Sequence, residues 1–339
     1  MKLAVVGLGW WGATLVESVQ HSETLRFVAA YTRSRSQQDH EVATRHRLSL
    51  VDSYEALLAD PGIDGVVLAT QPHGHCAQIV AAAAAGKHIF CEKPLVMNRG
   101  EAERALAAVH AAGVTLAVGY NRRFHPSWID LKRRVRQGEL GVVLHAECTM
   151  STPNGLSLPA TAWRSQRAEA PCGGLFPLGV HAIDGFIDLL GEVGDVFCRS
   201  IHRAVPNDND DATSVLLSMK DGMTAYLSTM MAAAGSFRFQ VYGTSATATL
   251  GGSTHVVGQS SQQRRTGLFG SYLWQPVKGD ASLLDVPVFD VNRAELEAFG
   301  QAVSGGPPYP IPAEQMLHAV AVTDAIIRSS RSGHVEAVS

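Results

Sequence analysis

Three glycines near the start of the chain, Gly7, Gly9 and Gly12, have the spacing G-x-G-x-x-G. That spacing serves phosphate binding when it lies between a strand and a helix. The first glycine makes the tight turn, the second lets a pyrophosphate approach the backbone, and the third lets helix and strand pack closely. The helix N-terminus then faces the phosphates. About twenty residues further on, such a site reads the adenosine ribose, and an Asp or Glu there bonds the 2′-hydroxyl of NAD. Here the stretch reads Ala30-Tyr31-Thr32-Arg33-Ser34-Arg35, with no acid until Asp39. Hydroxyl and guanidinium donors at Thr32, Arg33 and Ser34 suit a 2′-phosphate, so NADP is the expected cofactor and NAD the alternative. The bland reading makes Arg33 and Arg35 ordinary solvated charges. His73 and His75 lie close together but have no third ligand at regular spacing, so no metal site is expected. Cys172, beside Gly173, has no obvious activating partner and reads as a small filler.

These residues need elements to hold them. Lys2–Val6, Leu25–Tyr31, Gly65–Thr70, His88–Cys91 and Thr115–Gly119 are short apolar runs that read as strands. Between them lie helix-compatible stretches after Gly12, at Val51–Leu58 with Asp52 or Ser53 as N-cap, at Cys76–Ala85 closed by Gly86, and at Arg99–Ala111 closed by Gly113. Strands alternating with helices predict a parallel sheet, and continuous apolar strands predict burial on both faces.

After Tyr120 the pattern changes. Val142–Thr152, Val196–Ala204, Ala212–Lys220, Met223–Met231, Arg238–Tyr242 and Ala246–Leu250 read as strands joined by short turns. Helices are expected at Ser127–Arg136, Leu178–Leu190, Asn292–Val303 and Ala313–Ser330. Residues 252–285, rich in Ser, Gly and Gln, read as a long loop. The second half is therefore expected to be an α+β domain with mostly antiparallel sheet.

Composition bounds the rest. A chain of 339 residues has room for two domains at roughly 150 residues each. Its 28 basic and 31 acidic residues give a net charge of −3, and without a basic excess nucleic acid is not an expected partner. No apolar run reaches the ~18–20 residues of a membrane span, and the apolar start is too short for a secretory signal. Five scattered cysteines without a C-x-x-C pair suit free thiols in a reducing cytoplasm, the expected location.

Cys91-Glu92-Lys93-Pro94-Leu95 follows the fourth apolar strand. Together with Val5–Gly12, Ala69-Thr70-Gln71-Pro72-His73-Gly74-His75 and Gly119–Pro126, it resembles the glucose–fructose oxidoreductase / inositol dehydrogenase (Gfo/Idh/MocA) family. The likeness runs through Trp163-Arg164, Gly173-Gly174, Gly179-Val180-His181-Ala182-Ile183-Asp184 and the last helix ending Ser330-Arg331-Ser332-Gly333, so it covers nearly the whole chain. The resemblance implies an α/β protein: an N-terminal Rossmann domain with a doubly wound parallel sheet, residues 1–121, that binds the dinucleotide. It also implies a C-terminal α+β domain, residues 122–339, that binds substrate and oligomerises through an open, mostly antiparallel sheet. A homodimer or homotetramer would cover that sheet's free face. Cofactor contacts are implied at Gly7, Gly9, Trp10, Trp11, Gly12, Thr32, Arg33, Ser34, Thr70, Gln71, His75, Glu92 and Lys93. One of the two tryptophans is expected over the cofactor and the other on the second domain.

The implied activity is hydride transfer between a nicotinamide and a secondary alcohol or ketone of a sugar, polyol or similar hydroxylated ring. Lys93 would bond the substrate oxygen, and His181 would share that oxygen across the interdomain cleft as general acid and base. Asn121, Arg122, Trp163 and Arg164 would line the substrate pocket, and Arg123 would meet cofactor or substrate beside them. The family pattern places an Asp four residues before this histidine, and here that residue is Pro177. Asp184, one turn after His181, would either orient the imidazole or lie on the helix surface. The missing acid also motivates an alternative: a cofactor-binding regulator or a redox-neutral NAD-dependent enzyme.

Overall fold

A computed structural model of the chain describes residues 1–255 and 258–339. Residues 256 and 257, inside the stretch expected to be loop, lie outside the described residues. The chain forms two compact units. The first is Met1–Asn121 with Asp290–Val320, and the second is Arg122–Phe289 with Ala321–Ser339. The segment 290–320, which the sequence places in the second domain, thus packs with the first.

In the first unit, strands β1 (Lys2–Val6), β2 (Arg26–Tyr31), β3 (Ser49–Leu50), β4 (Gly65–Leu68), β5 (His88–Cys91) and β6 (Leu116–Val118) alternate with helices α1 (Trp10–Ser18), α2 (Gln37–His46), α3 (Tyr54–Ala59), α4 (His75–Ala84) and α5 (Arg99–Ala112). The sheet order is β3-β2-β1-β4-β5-β6, all parallel. This is the doubly wound order that reverses between β1 and β4 and opens a ligand crevice at the strands' carboxyl ends. The central strands β1, beyond Lys2, and β4 are buried on both faces, as their unbroken apolar sequence requires. Helix ends follow local chemistry. Ser53 Oγ accepts from Ala56 N, and Asn98 Oδ1 accepts from Glu101 N. Gly86 and Gly113 take left-handed φ of 69° and 65° past the ends of α4 and α5.

The second unit contains α6 (Pro126–Arg136), β7 (Val143–Ser151), α7 (Val180–Leu190), β8 (Val193–Ile201), β9 (Ala212–Met219), β10 (Thr224–Met230), β11 (Ser236–Gly243), β12 (Ala246–Gly252), α8 (Ser261–Thr266), β13 (Phe269–Pro276) and β14 (Ser282–Leu284). Next along the chain are α9 (Val291–Val303) of the first unit, then α10 (Ala313–Ser332) and the short β15 (Glu336–Ala337). The nine-stranded sheet runs β14-β13-β12-β11-β7-β10-β9-β8-β15. Among the described residues only β7 and β10 pair in parallel. The expected loop at 252–285 is a correction. Strands β13 and β14 extend the sheet beyond β12, because the backbone pairing of Thr247–Gly252 with β13 outweighs the Ser- and Gly-rich composition.

One register row of this sheet, Cys198–Val215–Leu227–Cys148–Phe239–Leu250–Tyr272, is buried throughout. Helices α6 and α7 cover it. The Trp128 and Phe186 rings stand 4.9 and 5.1 Å from that of Phe239. The adjacent row, Phe197–Leu216–Tyr226–Glu147–Gln240–Thr249–Leu273, faces the other way and is mixed and partly exposed.

Beneath α7 lies a buried ion cluster. Arg123 Nε donates to both Asp184 oxygens at 3.0 and 2.9 Å, and its Nη1 donates to Asp188 at 2.9 Å. Trp128 Nε1 and Lys132 also reach Asp188. Asp184 therefore does not lie on the helix surface, one of the two places the sequence offered for it; it is buried against the Arg123 guanidinium. Removing one partner of such a pair strands a charge in a dry interior. Arg123→Leu is accordingly expected to destabilise the protein by about 3–5 kcal/mol in urea unfolding, whereas Arg133→Leu, at the partly exposed Asp130 and Glu139 pairs, should leave the urea midpoint nearly unchanged.

Candidate active site

At the β1–α1 turn the three glycines are held by backbone contact. Gly7 has φ of 96°, and a Cβ there would fall 2.7 Å from the carbonyl oxygen of Ala69. A Cβ on Gly12 would fall 1.9 Å from Gly7 O, so helix and strand could not approach as they do. Gly9 is different, since a Cβ there meets nothing within 4 Å. Its openness leaves the backbone accessible at the helix N-terminus. No side chain caps α1 and no acid sits in its first turn. The cradle fits a pyrophosphate: a helix N-terminus with no side-chain cap, a favourable dipole and a glycine with open space above it. Trp10 is 48% exposed beside it, with Trp11 edge-on at 5.3 Å.

At the end of β2, Thr32 is buried and Ser34 Oγ donates to Asp39 at 2.6 Å. Asp39 also accepts from Ser36 N and Ser36 Oγ and caps α2. Burial works against its charge, but the Ser34 and Ser36 hydrogen bonds outweigh this and hold its pKa below the ordinary range. The nearest acid is thus committed to a helix cap. Arg35 is held by Val51 O and Asp52 at 2.7 Å. Arg33 is exposed and has no ion pair among the described residues, which suits it to a 2′-phosphate.

Beyond β4, Thr70 Oγ1 donates to Gln78 Oε1 at 2.6 Å, and Gln71 is exposed just before a 3-10 turn. His75 lies fully inside. Its Nδ1 faces Pro94 O and Leu95 O at 3.0 and 3.1 Å, and its Nε2 faces Thr70 O at 3.2 Å. Burial lowers its pKa. It joins the loop after β4 to the loop after β5, supporting the expected cofactor site from behind. His73 is exposed beside it, and no described group of three His, Cys, Asp or Glu is placed to hold a metal ion.

Glu92 and Lys93 end β5, ahead of a cis Lys93–Pro94 bond. From Ile89 to Val96 every residue is buried except Lys93. Glu92 packs where Gly119 leaves room: a Cβ on Gly119 would fall 2.9 Å from Glu92 Oε1. Lys93 N donates to Glu92 Oε2 at 3.2 Å. Burial raises the Glu92 carboxyl to about 7, although the Trp11 indole and the Lys93 charge pull it back. Asn121 Nδ2 donates to Asn292 Oδ1 at 2.9 Å, inside the first unit. The sequence reading missed Asn292 and Glu295. The signal was present, because both fall on the apolar stripe of α9 with Val291, Leu296 and Phe299.

In the second unit, residues 171–190 are buried except Pro177 and His181, one turn apart. A single π turn, Leu175–Gly179, leads into α7, a distortion frequent at functional sites. Gly173 (φ 48°) and Gly174 make it close. Their Cβ atoms would fall 1.9 Å from Asp210 O and 2.6 Å from Thr229 Oγ1. Cys172, also left-handed, is buried and donates to Ser330 Oγ at 3.2 Å; hydrogen bonding with Cys198, and with Ser330 and Ser200, holds its thiol below the ordinary range against the effect of burial. Arg122 stacks over Phe237 at 5.1 Å, and burial lowers its pKa to about 10. Arg164 stacks on Trp163 at 4.9 Å, and burial alone lowers its pKa. Neither Nε has a hydrogen-bond partner among the described residues.

The family model described as an oxidoreductase family with NAD-binding Rossmann fold matches residues 1–120, and the GFO/IDH/MocA C-terminal domain matches residues 128–249. The rhizopine catabolism protein MocA of Rhizobium meliloti is 26% identical over 336 residues, 96% of this chain and 93% of that one. The NAD-dependent scyllo-inositol 2-dehydrogenase of Bacillus subtilis is 39% identical over 145 residues, 42% of each chain. A crystal structure from Desulfitobacterium hafniense, of a protein whose proposed activity is NADPH-dependent oxidoreduction, matches with TM-score 0.92 at 27% identity, covering 100% of this chain and 98% of that one.

The raised Glu92 carboxyl has a thermodynamic consequence. A buried acid near 7, against 4.5 for the free group, favours the folded state only while protonated in both states. Its contribution is lost as pH rises from about 4.5 through 7. Thermal melts of cofactor-free Glu92→Gln should therefore gain on wild type between pH 5 and pH 8. A difference independent of pH would show Glu92 to be ionised as in the unfolded chain.

Proposed function

The chain belongs to the Gfo/Idh/MocA family of NAD-binding oxidoreductases, and from that premise we propose that it oxidises or reduces one carbinol or carbonyl carbon of a sugar, polyol or similar hydroxylated ring, with Lys93 and His181 as its catalytic residues. The nicotinamide, when bound, supplies the hydride acceptor or donor. The protein's part is to orient the ring carbon, stabilise charge on its oxygen and move one proton. The Lys93 ammonium bonds the substrate oxygen and steadies developing alkoxide charge. His181 takes the hydroxyl proton during oxidation and returns it during reduction. Pro177 has no group that accepts a proton, so this exchange falls to His181 alone. Arg122, Trp163, Arg164 and Asn121 are proposed substrate contacts, and Gly7–Gly12, Thr32–Ser34, Thr70, Gln71 and Glu92 the cofactor contacts, with His75 behind them. The observation that carries the reading is the exposure pattern. Lys93 in its stretch, and Pro177 with His181 in theirs, are the positions that interrupt otherwise buried runs.

NADP is the proposed cofactor, with NAD as the alternative, supported by Arg33 and by the commitment of Asp39 to the α2 cap. A homodimer or homotetramer in the cytoplasm is also proposed. The partly exposed sheet row through Leu216 (47% exposed) and Tyr226 supports the assembly, and five buried free cysteines support a reducing compartment.

Nicotinamide absorbance with a panel of cyclic polyols and ketoses tests the activity. Lys93→Ala and His181→Ala are each expected to lower kcat at least about 100-fold; wild-type rates in both would refute the assignment. Arg33→Ala should raise KM for NADP(H) about tenfold and leave KM for NAD(H) unchanged. In sedimentation, Leu216→Glu should yield a smaller species than wild type.

A further inference from the structure

Glu295, on α9, is the most deeply enclosed acid in the first unit. It is 0% exposed, and neither carboxyl oxygen has a hydrogen-bond partner among the described residues. Its neighbours can be triangulated. One turn before it, Asn292 accepts the Asn121 hydrogen bond at the end of β6. One turn after it, the Phe299 ring stands 6.0 Å from that of Phe90 on β5. Phe90 and Glu92 are two residues apart along a strand direction and point to the same face. Asn292, Glu295 and Phe299 form one stripe of α9, so the face that carries Glu295 is laid over the side of β5 that carries Glu92. The two carboxyls repel one another electrostatically. The charged groups facing Glu295 are Glu92, from the end of β5, and Asp290, from the start of its own helix. Those facing Glu92 are Lys93 and Glu295.

We propose that Glu295 is a positioning residue for Lys93: it keeps its proton, so that the Glu92–Glu295 pair carries one negative charge rather than two, and that charge resides on Glu92 beside the lysine. Two carboxylates withdrawn from water at short range do not both ionise, and their protons leave in two well-separated steps. Lys93 and the Trp11 indole favour charge on Glu92. Among the described residues nothing comparable faces Glu295, whose charged neighbours are acidic, and burial followed by the Glu92 charge drives its pKa well up. The neutral acid at Glu295 thus supplies polarity without charge beneath Glu92. Glu92 Oε1 has no hydrogen-bond partner among the described residues. The inference rests on the reading of Lys93 as the residue that holds the substrate oxygen.

Two measurements test it, and the first needs neither cofactor nor turnover. Melts of the cofactor-free protein should show Glu295→Gln gaining on wild type from pH 5 to pH 9. The gain should be smaller in a Glu92→Gln background, where the neighbouring charge is gone. A gain independent of pH, or one equal in both backgrounds, overturns the shared-charge pair. The second is the pH profile of kcat/KM. Glu295→Leu, which removes the polar group, should move the acid limb up by about half a pH unit or more, while Glu295→Gln, a neutral polar mimic, should restore it. An unmoved limb in Glu295→Leu, or an equal shift in both variants, overturns the positioning role. If no substrate turns over at all, the functional reading fails, and the melts still decide the pair.

Discussion

A carboxyl group taken out of water must either keep its proton or find a compensating charge, and the end of β5 is arranged around that requirement. Glu92 is enclosed on several sides: Gly119 yields space for its oxygens, Trp11 presents an indole and Lys93 follows it in the chain. The lysine, like Trp11, retains some exposed surface. The lysine thus keeps partial exposure directly beside a buried carboxyl. The same short loop is tied from behind by His75, whose ring nitrogens both meet backbone carbonyls. Rigidity at Lys93 comes from these buried neighbours.

The second unit follows a different rule. Its sheet is apolar on one side and mixed on the other, so α6 and α7 can cover only one face. α7 is anchored beneath by Arg123 and two aspartates and entered through a wide π turn against Gly173 and Gly174. This leaves Pro177 and His181 on the side of the segment that retains exposed surface. The π turn matters because it sets which residues of the segment share that side. A proline at the first of them leaves the imidazole as the only titratable side chain there.

Much of this was legible in the residues themselves. The unbroken apolar strands of the first half, the glycine turn and the Gly86 and Gly113 helix ends all appear where spacing and backbone freedom require. Three features were not legible, each for its own physical reason. The strand Phe269–Pro276 is defined by its pairing with β12, a partner that composition does not reveal. Asp184 lies one turn from His181 in sequence, yet an arginine 61 residues earlier determines its environment. His75 stands in a motif-like stretch beside exposed His73, but its ring turns inward. Glu295 was readable in part: helical periodicity puts it on a buried face, and only the fold shows which strand that face meets.

The return of residues 290–320 to the first unit has a bearing on how the chain is made. On the ribosome, all six strands of the parallel sheet emerge before α9, with the whole nine-stranded sheet except β15 synthesised in between. Until α9 arrives, the surface around Phe90, Glu92 and Asn121 lacks its lid, and an apolar face with a polar centre stays open to solvent. The first-made unit therefore waits for its last helix until nearly all of the second has been synthesised, and for that interval the surface beside Glu92 is open to misassembly or chaperone capture.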